Sequence, residues 1–405
     1  MSRRAVLWVA FVVVHAVVAI LGFVWPSQPM GDVYFVYEPW SLSALNGGAI
    51  VGVTEAWVYP QWALVPMVLA HGFAWIAGYE VGWALLVTGA NALAFAMVVG
   101  RARSVGRVSA AWFWLAFILL LGPVGMYRLD AITVPLAVAG CLWLVGRPFV
   151  ASLLLSVATW MKVWPAALLA AAVVAVRRRA LIVAGALVVS GCTLVVVALA
   201  GGAAHAFGFI SGQTERGLQL EAPVSMYYLW RAVAGIEGSF IFYDPDILTF
   251  QVTGPQVDPV IALMTPLLAI VVLAICGVGA FAAWRGAHFV TLFPPLAISL
   301  VLALWAVNKV GSPQFLTWLI APIVLALVVD HRRWRGFAVT ALVAAGLTQI
   351  IYPLLYDQLL LAQPVAAAVL TARNLLMIGM LGWALARLVR VLWPARRTRL
   401  LESTH

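Results

Sequence analysis

Of the 405 residues, 65% are hydrophobic and only 9% are charged, against roughly 45–50% and 25% in soluble globular domains. So few charges cannot cover a water-soluble fold of this length, and apolar runs near the ~20 residues that span a hydrocarbon core recur from one end of the chain to the other. The net charge of +10 is divided among short arginine clusters between those runs, with no single basic face, which excludes nucleic acid as a partner. Cys141, Cys192 and Cys276 lie singly in apolar stretches, without the paired spacing of a disulfide framework or a thiolate metal site.

The predicted fold is all-α: a polytopic integral membrane protein in a lipid bilayer, with residues 1–405 forming a single membrane domain. Arginine clusters anchor cytoplasmic loops, and here they fall at Arg3–Arg4, Arg101–Arg107, Arg147, Arg177–Arg179, Arg285, Arg332–Arg335 and from Arg387 onward. In chain order, Ala5–Val24 has no cleavage site and is expected to remain as the first span. A return ends at Gly100, Ala110–Gly125 goes out and Ala131–Val145 comes back. Phe149–Val176 begins and ends at cytoplasmic arginines, so it is read as two short helices meeting at Lys162-Val163-Trp164-Pro165, where proline removes a backbone donor. Leu181–Ala200, Val260–Ala283, Phe289–Val307, Phe315–Val329, Phe337–Leu354 and Val365–Ala386 follow. The tally is about twelve transmembrane helices with both termini cytoplasmic.

Two segments on the outer side are too long to be turns. The first, residues 25–79, carries Asp32, Tyr34, Glu38, Glu55 and Tyr59-Pro60, and ends in an apolar stretch broken by Pro66 and His71. That stretch is expected to be membrane-associated. The second, residues 201–258, carries Arg216-Gly217-Leu218-Gln219-Leu220-Glu221 and the aromatic run Tyr227-Tyr228-Leu229-Trp230.

Six of the 24 basic residues escape the cytoplasmic bias: Arg128, Lys162, Arg216, Arg231, Lys309 and Arg373. Lys162 and Lys309 are the only lysines in the chain. Ionisable groups at membrane depth are costly and mark functional cavities. A carboxylate just after the first span, facing several cations and aromatics, suits transfer of a sugar from a lipid-linked phosphate. Such a reaction needs a base for the acceptor hydroxyl and cations for the departing phosphate. Plain structural alternatives stand beside this. Asp32 could cap a helix, Lys162 could snorkel to the interface, Arg128 and Asp130 could pair with each other, and Arg216 with Glu221 could hold the second insertion in shape.

Asp32 with Tyr34, Tyr59-Pro60, Lys162-Val163-Trp164-Pro165, Arg216 through Glu221, and Ser312-Pro313-Gln314 after Lys309 form an ordered set. It resembles family 87 glycosyltransferases, C-superfamily integral membrane enzymes that include the actinobacterial phosphatidylinositol mannoside mannosyltransferases. The resemblance runs from residue 5 to about residue 330. It departs where the family often has Tyr-Pro-Pro and this chain has Tyr59-Pro60-Gln61. The resemblance implies a plasma-membrane enzyme that works on the extracytoplasmic face, and the sequence itself, with no Asp-x-Asp in the first insertion, requires no cofactor or metal. Its reaction would be inverting transfer of mannose from polyprenyl-phosphate mannose to a glycolipid hydroxyl, with a linkage expected to be α-1,2. Asp32 would be the base, and Lys162, Lys309, Arg216 and Arg128 would hold the donor phosphate. Tyr34, Glu38, Tyr59, Asp130, Gln219, Glu221 and Gln314 would contact substrate. A transferase using another polyprenyl-phosphate sugar, or a transporter of lipid-linked sugars, is the alternative. Transport is disfavoured by the absence of the internal repeats common in transporters.

Overall fold

The computed structural model describes residues 2–214, 216–245 and 247–393. In chain order the helices are α1 (Arg3–Val24), α2 (Glu38–Leu45), α3 (Leu64–Ala74), α4 (Tyr79–Val99), α5 (Val105–Leu121), α6 (Asp130–Trp143), α7 (Pro148–Met161), α8 (Ala166–Ala175), α9 (Arg179–Leu199), α10 (Gly208–Thr214) and α11 (Met226–Val233). A hairpin of β1 (Phe240–Asp244) and β2 (Thr249–Thr253) comes next. It is followed by α12 (Val257–Trp284), α13 (Phe289–Ala306), α14 (Ile320–Gln349), α15 (Tyr356–Leu360) and α16 (Pro364–Arg390).

Among the described residues, eight segments are long and apolar enough to cross a membrane: α1, α4, α5, α9, α12, α13, the stretch Pro313–Leu354 that contains α14, and α16. This is an all-α membrane protein whose only named strands among the described residues are β1 and β2. Length alone credits fewer spans than the arginine pattern, for two physical reasons. Helices α6, α7 and α8 have 14, 14 and 10 residues, below the length of a straight crossing. Asp330 also breaks α14, adopting φ −153° and ψ 72°. Its carboxylate then accepts the Arg333 N–H at 3.2 Å and pairs with the Arg333 guanidinium at 3.6 Å, so the residue that ends one arm caps the next.

The turn between α7 and α8 has a similarly local cause. Lys162 is extended and closes α7, and Pro165, with no N–H to place, opens α8. Along the bundle α5 packs against α14, α6 and α9 against α7, and α13 against α16. The approach of α5 to α14 requires Gly106, because a Cβ there would lie 2.7 Å from the Leu327 carbonyl oxygen. Helix α12 is the outlier, with only 11% of its apolar window buried, so most of its surface is left for lipid.

The two long insertions sit at one end of the bundle. In the first, α2 and α3 are tied by Ser41 Oγ and His71 Nε2 at 2.8 Å. In the second, the β-prone run Phe240-Ile241-Phe242-Tyr243 pairs antiparallel with β2, Phe242 opposite Gln251, a small exception to the expected all-helical content. Leu218 and Leu220 extend this hairpin: Val252 N–H donates to Leu218 O at 2.9 Å and Leu220 N–H to Phe250 O at 3.0 Å. Both leucines are buried with Tyr228, Leu229, Leu359 and Leu370 in a second hydrophobic cluster apart from the main core.

Candidate functional site

After α1 the chain reverses through Ser27 and Gln28, both left-handed at φ 57° and 47°, and Asp32 leads into a π-helical turn over Val33–Tyr37. The Asp32 side chain caps nothing. It pairs with Arg128 Nε at 3.3 Å, and its side chain stays 35% exposed against 8% for Arg128. Arg128 is held on every side: Nη1 donates to the carbonyls of Pro29 and Tyr127, each at 3.1 Å, and Nη2 to the Tyr352 hydroxyl at 3.2 Å. A guanidinium with most of its donors committed is a fixed frame for the carboxylate.

The sequence expectation that Arg128 and Asp130 pair with each other is corrected. Asp130 opens α6, fully buried, and takes Lys162 Nζ at 2.5 Å and Trp318 Nε1 at 2.6 Å. Arg128 lies in the turn before α6 and faces the first insertion. Two crossed ion pairs result, one to the start of the chain and one to the α7–α8 turn. Lys162 also lies 5.7 Å from the Tyr59 ring centroid and 5.4 Å from that of Phe315. It is therefore enclosed by partners behind Tyr59 and does not line the cavity that Asp32 faces.

That cavity, of about 470 Å³, is lined by Asp32, Tyr59, Arg128, Arg216, Glu221 and Gln314, among others. The second insertion supplies its floor through strand alternation: Leu218 and Leu220 point into their hydrophobic cluster, leaving Gln219 and Glu221 on the cavity side. The Gln219 amide is committed to the neighbouring loop, with Oε1 accepting Gly311 N–H at 2.9 Å and Nε2 lying 3.0 Å from Ser312 Oγ. Its own N–H reaches the Lys309 carbonyl at 2.9 Å. Gly311 permits this contact, since a Cβ there would stand 2.4 Å from Ala222 Cα. Glu221 is 1% exposed; Oε1 accepts the Tyr356 hydroxyl at 2.8 Å, and Oε2 is buried without a hydrogen-bond partner.

Burial pushes the Glu221 carboxyl above its ordinary value, with the Tyr356 hydrogen bond and Arg373 opposing. Desolvation lowers Arg216, while Tyr59 and Asp244 favour its charge. Lys309 is lowered by burial and then by the nearby Arg216 charge. Tyr59 is raised by burial, against the pull of Lys162.

The remaining predicted residues are more dispersed. Lys309 is buried beside the cavity without lining it. Tyr34 packs edge-on against Phe35 with ring centroids 4.4 Å apart. Glu38 opens α2, where burial and then Glu80 raise it, and neither residue lines the cavity. Gln61, at the position of departure from the family pattern, donates to Gly52 O at 3.1 Å and Ala206 O at 3.2 Å, linking the two insertions. Sequence reading missed Trp40, Tyr352, Tyr356 and Asp357, all of which line the cavity. The last three interrupt an apolar run with aromatic and acidic groups, and that interruption was the available signal.

No protein-family model, curated protein or solved structure matches the chain.

Proposed function

We propose that the chain is a polyprenyl-phosphate-dependent mannosyltransferase of the family 87 type. In this reading it resides in the plasma membrane with about twelve crossings, counting α6, α7, α8 and the two arms of α14 separately. The insertion-bearing end faces outward, and both termini are cytoplasmic. The observation that carries the reading is Asp32: a solvent-reachable carboxylate, aimed by a committed arginine, in a cavity that also receives Arg216.

Asp32 takes the proton of an acceptor hydroxyl as that oxygen attacks the anomeric carbon of β-mannosyl phosphate. The new carbon–oxygen bond forms as the bond to the phosphate oxygen breaks, and its electron pair leaves with the phosphate. The products are an α-mannoside, expected to be α-1,2-linked, and polyprenyl phosphate, and Asp32 then returns its proton to water. Arg216, with Arg128 and the nearby Lys309, offsets the negative charge that develops on the leaving phosphate. Asp130 and Lys162 act as positioning residues that hold Tyr59 at the cavity wall. Lipid donor and glycolipid acceptor both come from the bilayer, which the long apolar helices occupy. The test is transfer by the purified chain from mannosyl phosphoryl polyprenol to a panel of mannosylated lipids, with glucosyl and pentosyl donors in parallel. Transfer only from a donor other than mannosyl would move the assignment to another sugar.

A further inference from the structure

The residues lining the cavity fall into two walls by their contacts. Tyr59 and Arg216 act on each other in one, with Lys162 and Lys309 close to them. Tyr352, Tyr356, Phe250, Glu221 and Asp357 make the other. Arg128, paired with Asp32, donates to the Tyr352 hydroxyl. The second wall is continuous. Tyr352 and Tyr356 meet edge-on at 4.8 Å, Phe250 and Tyr356 at 5.8 Å, and the Tyr356 hydroxyl reaches Glu221.

Glu221 is the unusual member. A buried carboxylate normally satisfies both oxygens, yet Oε2 has no partner in a side chain that borders the cavity. When ionised, both of its oxygens can only accept. The rings beside it present apolar faces against which the C–H face of a sugar can lie. A phosphate would meet Glu221 and Asp357 with like charge, so it is directed to the lining cations Arg216 and Arg128.

From this arrangement we infer that the Glu221–Tyr356 wall is the acceptor subsite. It takes an uncharged, hydroxyl-bearing sugar ring, with the Glu221 carboxylate accepting from one ring hydroxyl, while the donor phosphate sits against Arg216 and Arg128. The inference deepens the transfer reaction proposed above and rests on it.

The two walls separate in kinetics. With the purified full chain, Glu221→Gln is expected to raise KM for the glycolipid acceptor about tenfold or more, the effect of losing a charge-assisted hydrogen bond. KM for the lipid-phosphate donor is expected to stay unchanged. Tyr356→Phe, which deletes one hydroxyl and spares the packing, should move the same constant in the same direction, and Arg216→Gln should move the donor constant. Saturation-transfer NMR with methyl α-mannoside gives a reading free of turnover: the signal seen with the wild-type chain should weaken in Glu221→Gln. A rise in donor KM alone in Glu221→Gln and Tyr356→Phe, unchanged kinetics in both, or equal mannoside signal with and without Glu221 would overturn the inference. Glu221-dependent mannoside binding in a wild-type chain that transfers no sugar would instead defeat the proposed reaction and leave the sugar subsite standing.

Discussion

Lys162→Met is the substitution that best separates structure from chemistry at this site. Methionine keeps an unbranched side chain and removes the charge, leaving Asp130 at 0% side-chain exposure without its cation. Removing one partner of a buried ion pair costs about 3–5 kcal/mol. The Trp318 N–H at 2.6 Å still satisfies one Asp130 oxygen, while loss of cation–π contact with Tyr59 and Phe315 adds about 0.5–1 kcal/mol for each ring. Changing Asp130 to asparagine in the same chain removes the stranded charge and keeps an acceptor for Trp318. The double variant is therefore expected to recover most of the loss, and the coupling can be read from the double-mutant cycle. Unfolding by SDS titration in mixed micelles, followed by tryptophan fluorescence, measures all four proteins. If Lys162→Met unfolded with the wild-type midpoint and instead raised KM for the lipid-phosphate donor, Lys162 would be a phosphate ligand, and its placement behind Tyr59 would be wrong.

The other predictions concern the base, the cations, Glu221 and the topology. Asp32→Asn should lower transfer by about 10² or more with donor binding retained, and Asp32→Glu should recover little because an ångström of displacement can cost ~10²-fold. A near wild-type rate in folded Asp32→Asn would move the base elsewhere. Arg216→Ala should weaken donor use about tenfold or more, measured as donor KM, and an unchanged constant removes it from the phosphate. Glu221 is pushed above its ordinary 4.5 in the fold, so the folded state holds that proton more tightly than the unfolded chain does. Its contribution to stability is present below about pH 4.5 and is lost as pH rises through the folded value. Glu221→Gln should flatten the pH dependence of the SDS midpoint above 4.5. Cysteines at Asn46 and Gln358, both exposed, should react with an impermeant reagent from outside, and one at Arg178 should not; labelling of Arg178 would invert the orientation.

The helical turn at Lys162 through Pro165 was legible because proline and the flanking arginines constrain the chain locally. Asp32 was likewise legible as a carboxylate at the mouth of the first span, since span length fixes where the chain leaves the apolar run. The pairing of charges was not. Arg128 and Asp130 are two residues apart, and their partners, Asp32 and Lys162, are set by how the Gly122–Gly125 turn lies against α1 and how α6 packs against α7, a tertiary fact invisible to spacing. Tyr352 through Asp357 escaped for a different reason: their neighbours continue the hydropathy of α14, so the run reads as a helix end when it is a cavity wall. Strand pairing at Leu218 and Leu220 could be suspected from their alternation with Gln219 and Glu221, but the partner strand lies some thirty residues on.

The cavity draws its walls from residues 27–59, 128, 216–221, 247–250, 312–314 and 352–360, nearly the full run of the chain. A membrane protein inserted from its N-terminus therefore carries Asp32 through almost all of its synthesis before Tyr352 arrives to brace Arg128. No nascent fragment holds the finished cavity, so on the proposed function a chain lacking its last helices transfers nothing. Severing the chain at the exposed turn around Gly286 should give two pieces, neither with a complete cavity, whose co-expression restores it.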